Sequence, residues 1–191
     1  VSEKLPSLIQ NRYRFFKIAL LAMAGAVSAA FVHARKPFLI NPCRDPAIVA
    51  HCASLGEDED LDRPGTRQES FDLFARLMNQ SEWKENLFGD ISAIVFRNRK
   101  PEIIRTLLTR DDWHGRLLNG SDYPLPGILP LTSLSRLVRH GLLPKEPVAD
   151  LRALREANAL HFDLALKRSL NWQGKSFPAR VFETRTFFET A

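Results

Sequence analysis

Arg116-Leu117-Leu118-Asn119-Gly120-Ser121-Asp122-Tyr123-Pro124 is a short apolar run that stops in a polar, glycine-marked turn carrying one carboxylate. That pattern predicts a buried strand delivering Asp122 to a loop, because strands that read as short apolar runs are bounded by turn formers. Two earlier stretches repeat it. Ala47-Ile48-Val49-Ala50 delivers His51, and Leu87-Phe88-Gly89-Asp90-Ile91 carries Asp90 within a predicted strand region over residues 87–96. In parallel α/β sheets the chemistry sits where strands end and loops begin. His51, Asp90 and Asp122 are therefore the candidate ligands or acid/base groups, each a weak signal alone.

The intervening segments read as covering helices and loops. Ser70 is predicted to cap a helix that puts Phe71, Phe74, Leu77 and Met78 on one face. Pro101 opens another, at a position that tolerates proline, with Ile103, Ile104, Leu107 and Leu108 as its buried stripe. Further helices are expected over residues 131–140 and 147–156. Asn158 reads as the cap of a helix reaching Ser169, with Leu160, Leu164 and Leu166 packing it. The acidic run over residues 57–62 lacks the alternation and central glycine of a calcium loop and reads as a solvated loop. His114 precedes the third strand, and so is expected at the opposite end of the sheet, in a structural role. For Asp90, a structural reading pairs it with a loop backbone or with Arg97.

The chain has 191 residues, the size of one ordinary domain. Its net charge of +5 is dispersed, and no basic run interleaves with exposed aromatics, so no nucleic-acid partner is expected. Cys43 and Cys52 are the two cysteines; their spacing fits no metal knuckle, and a disulfide between them stays open. Residues 1–35 form a basic leader and an apolar segment, uncharged over residues 18–32. Residues 15–34 read either as a signal or membrane anchor, with Ala29 as a cleavage point, or as an ordinary helix; sequence foreign to the domain is a third reading. Location follows from that choice: anchored or exported in the first case, cytoplasmic otherwise. Residues 36–171 read as the main domain, and 172–191 as an aromatic, proline-bearing extension.

In order, His-x-Ala-Ser from His51, Gly-Asp-Ile-Ser from Gly89, the Arg116–Pro124 stretch and Asn-Ala-Leu-His-Phe from Asn158 resemble the last third of an amidohydrolase-related, metal-dependent hydrolase. The resemblance implies an α/β fold: a partial (β/α)8 TIM-type barrel of about the last three βα units, preceded here by the apolar N-terminal helix. By that resemblance, Asp122 is the eighth-strand carboxylate that binds metal and takes a proton from water. His51 is the sixth-strand histidine that binds metal or orients substrate, and Asp90 is a third candidate ligand. A divalent metal, zinc by preference, and a small-molecule amide, ester or lactone substrate are implied. The family's His-x-His is absent from this sequence, where all five histidines stand apart. The expectation is therefore a truncated hydrolase, one completed by another polypeptide or by self-association over open barrel edges, or a non-catalytic scaffold, membrane-tethered or serving interactions.

Overall fold

The computed structural model describes residues 46–190. The leader, the apolar segment, Cys43 and the expectations attached to them lie outside the described residues. Among the described residues, no helix is long and apolar enough to cross a membrane.

Three strands form a parallel sheet: β1 (Ala47–Val49), β4 (Leu87–Asp90) and β5 (Leu117–Leu118), in the spatial order β1-β4-β5. Ala47 pairs with Leu87, and Gly89 with Leu117. The register aligns the three carboxyl ends on one edge. Alternation along β1 and β4 buries Ala47, Val49, Leu87 and Gly89 on one side of the pleat. Gly89 is required by close approach, since a Cβ there would lie 2.7 Å from the Phe74 ring and 2.8 Å from Cys52 Sγ. The result is a mixed α/β fold with a small parallel sheet, and the described residues contain no closed barrel.

Between β1 and β4 the chain makes an antiparallel hairpin, β2 (Glu57–Glu59) with β3 (Arg67–Glu69), and then α1 (Ser70–Asn79). This corrects the solvated-loop reading of the acidic run. Asp60, at the hairpin's end, is fully buried and receives two hydrogen bonds from Arg76 of α1, at 2.9 and 2.7 Å. A pairing with a residue 16 positions away is what makes burial of that carboxylate tolerable. Ser70 does not cap α1; its hydroxyl donates to Asp58 at 2.6 Å instead. Phe71, Phe74 and Met78 are buried, and Leu77 packs beside them.

The region 87–96 is strand only as far as Asp90, and residues 91–96 turn through buried loop. α2 (Pro101–Thr109) buries its four aliphatic residues as its periodicity requires. His114 is buried and its Nε2 lies 2.9 Å from the Leu107 carbonyl oxygen, a structural role before β5. Then follow α3 (Leu134–Arg139), capped by Ser133, α4 (Val148–Ala157), α5 (Ala159–Ser169) and α6 (Thr184–Thr190). In α5 Phe162 and Leu166 face the core, whereas Leu160, expected to pack, is exposed in the first turn. Phe177 and Val181 enter the same core as the sheet, and the Val181 carbonyl accepts from Asn119 N at 2.9 Å, beside β5.

Candidate active site

Each strand end delivers one polar group to the carboxyl edge, and the backbone there leaves ordinary conformations. His51, Cys52 and Ala53 have φ of 54°, 49° and 50°, and Asp122 has φ of 54°. Left-handed conformations at non-glycine residues persist where surrounding structure enforces them, and they concentrate at functional positions. The two turns bring His51 Nε2 and Asp122 Oδ2 to 3.9 Å, with the side chains 22% and 17% exposed. They face each other across a gap longer than a hydrogen bond, and both reach solvent.

The opposite side of the imidazole is fixed. Nδ1 lies 2.7 Å from Ser92 Oγ and 3.2 Å from the Ser92 carbonyl oxygen. A carbonyl can only accept, so Nδ1 carries the proton and, in the neutral ring, Nε2 presents its lone pair toward Asp122. The Ser92 hydroxyl in turn donates to Asp90 Oδ2 through a short contact. Asp90 Oδ1 accepts from the backbone N–H of Ser92 and of Gly120, each at 2.9 Å. Both Asp90 oxygens are thus engaged, and Oδ1 ties the loop after β4 to the loop after β5. A side chain at Gly120 would collide with this carboxylate, its Cβ falling 2.6 Å from Oδ1.

Lys167 of α5 clamps the same loop from beneath. Its Nζ donates to the Gly120 carbonyl at 2.6 Å, to Asn119 Oδ1 at 3.3 Å and to Asp163 Oδ2 at 2.6 Å. The Gly120 peptide is held at both N–H and C=O, two residues before Asp122. Burial pushes the Asp163 carboxyl up to about 6 against the opposing pull of Lys167. Cys52 is a free, buried thiol whose Sγ contacts the Asp90 carbonyl at 3.3 Å. Burial, and then the Asp90 charge, push its pKa up, which keeps it protonated and unreactive. Arg99 is buried with Nε and Nη1 unpartnered; burial lowers its pKa and the charge of Asp122 opposes that shift.

His51 and Asp122 are brought together as the sequence suggested, while Asp90 supports them rather than joining them. Among the described residues no group of three or more His, Cys, Asp or Glu side chains is placed to hold a metal ion. A protein zinc site takes three or four protein ligands. The described residues therefore do not fit a complete zinc site; His51 and Asp122 fit two positions of one that further donors would complete. Sequence reasoning missed Ser92, Lys167 and Asp163. Ser92 had a signal, standing two residues after Asp90 in Gly-Asp-Ile-Ser, and the Asp163–Lys167 spacing is that of a helical ion pair.

The arrangement defines a mixed α/β protein with a histidine–carboxylate pair at the carboxyl edge of its sheet. No protein-family model, no curated protein and no solved structure matches the chain.

Proposed function

We propose that the chain is the carboxyl-terminal portion of a metal-dependent hydrolase of the amidohydrolase type, acting on an amide, ester or lactone bond of a small molecule. On this proposal β1, β4 and β5 correspond to the sixth, seventh and eighth strands of a (β/α)8 barrel. The observation that carries it is the convergence of His51 Nε2 and Asp122 Oδ2 at 3.9 Å on the sheet's carboxyl edge. Parallel strands of this kind put catalytic groups on that edge.

Asp122 is the general base. It takes a proton from the attacking water as the water oxygen bonds to the substrate carbonyl carbon, and returns it to the leaving nitrogen or oxygen as the old bond breaks. His51, with Nδ1–H tied to Ser92, orients the substrate or the water through Nε2. A divalent ion, zinc by preference, bound by these two residues with donors from elsewhere, would supply a water whose pKa is near neutrality. Self-association over the sheet edges is one source of those donors.

The test is turnover of a panel of activated esters, lactones and amides by the full chain, with zinc present and zinc content measured in parallel. Asp122→Asn is expected to lower the rate by about 10²- to 10⁴-fold, the usual size of a general-base contribution. An unchanged rate in that variant would remove the hydrolase reading. The shortage of metal donors favours a second reading, a non-catalytic scaffold, which predicts neither zinc retention nor turnover.

A further inference from the structure

A cleft of about 200 Å³ opens between the loop that follows β4, the start of α3 with its leading loop, and one face of α4. Arg97 lines it from the first, Thr132, Ser133 and Ser135 from the second, and Arg152 and Arg155 from α4. The backbone fixes its walls. Phe96 and Thr132 pair in an antiparallel bridge, and Arg97 N donates to the Leu131 carbonyl at 2.7 Å. Arg152 and Arg155 are three residues apart on α4 and so share a face.

One feature of this cleft is unfavourable as it stands. Arg97, Arg152 and Arg155 line one volume with no Asp or Glu among the lining residues, and the Arg155 guanidinium also donates to the Thr132 carbonyl at 3.4 Å and lies over the Phe162 ring. Like charges in a partly enclosed space repel more strongly than they would in open water.

We infer that this cleft binds a phosphoryl group. A tetrahedral dianion offsets the positive charge of the lining arginines and offers several oxygens to their donors, through charge-assisted and frequently bidentate hydrogen bonds. A planar carboxylate brings half the charge and fewer acceptors. The cleft is smaller than the roughly 300–1,000 Å³ of pockets that enclose a whole small-molecule ligand. It takes one anionic head group, with the rest of the molecule outside. Nothing in this assignment depends on the hydrolytic pair.

Calorimetric titration of the full chain with inorganic phosphate, at ionic strength matched with sodium chloride, tests the site, and a simple phosphate monoester serves as a second probe. Saturable binding at one site is expected for both. Arg97→Ala and Arg152→Ala change exposed side chains and should each weaken binding by roughly tenfold, the loss of about one charge-assisted contact. Absence of saturation up to about 20 mM phosphate, a weak interaction even by fragment standards, would overturn the inference. So would equal competition by chloride, or binding that the two arginine variants leave intact.

Discussion

Lys167 holds a charge on a side chain with no exposed surface, and it does so with three acceptors: a carboxylate, a backbone carbonyl and an amide oxygen. Taking both members of an ion pair out of water costs several kcal/mol per ion, and their attraction offsets that only with good geometry. Replacing Lys167 by Met leaves Asp163 buried without its cation and the Gly120 carbonyl without its donor. A loss of about 3–5 kcal/mol is expected, read from urea unfolding. Asp163→Asn keeps an oxygen that accepts from Nζ but leaves the buried Lys167 ammonium without a counter-charge, so it too is expected to destabilise near neutral pH. That variant also isolates a pH effect. The Asp163 carboxyl, raised by burial to about 6 from the ordinary value of 3.8, keeps its proton in the fold at pH values where the unfolded chain has lost it. Its contribution to stability is present in full below the unfolded value and is lost as pH rises through the folded one. Wild-type stability should therefore fall, relative to Asp163→Asn, between about pH 4 and pH 6.5. Parallel curves for the two proteins would show that the carboxyl is not raised.

At the level of single elements, local chemistry and long-range pairing separate cleanly. Asn158 was legible as a cap because its job is local: its side-chain oxygen accepts from the N–H groups of Leu160 and His161, both at 3.0 Å. Asn158→Ala should cost about 1 kcal/mol of stability, with Asn158→Asp or Ser restoring most of it; thermal unfolding reads both. Pro101 and the aliphatic stripe of α2 were legible for the same reason. The hairpin over Glu57–Glu59 was not, because an acidic tripeptide becomes a strand here only through pairing with Arg67–Glu69 and the Asp60–Arg76 contact. Ser70 shows how a good capping residue loses that role when the helix begins one residue early: it is the first helical residue, after Glu69, and its hydroxyl donates to Asp58 at 2.6 Å. Gly89 is the strand-level counterpart. Gly89→Ala drives a methyl into Phe74 and Cys52, and is expected to destabilise by about 1–3 kcal/mol through overpacking.

Across the whole molecule, the candidate site was visible as three strand ends, since each apolar run stops at its own turn signal; the partnership among them was not. That His51 meets Asp122 while Asp90 is spent on Ser92 and Gly120 depends on the order β1-β4-β5 and on two left-handed turns, none of which the residues announce. The terminal segment was similarly opaque, because an aromatic, proline-bearing stretch has no periodicity and its role depends on what it covers. It covers β5. Phe177 and Val181 are buried in the same core as Trp113 and Leu117, Phe177 lies edge-on to His114 at 6.0 Å, and the Val181 carbonyl takes the Asn119 N–H. Asn119 is joined on its other side to Lys167, so the segment and α5 together fix the turn that carries Asp122. A chain ending at Asn171 loses the burial of Phe177 and Val181, worth about 1.5–3 kcal/mol each, and leaves the Asn119 N–H without its acceptor. Against a total stability of about 5–15 kcal/mol, that loss is large enough to abolish cooperative unfolding. The shortened protein is expected to bind hydrophobic dyes and to unfold without a sharp transition; a sharp transition within a few degrees of the full chain would mean the sheet is secured without this segment.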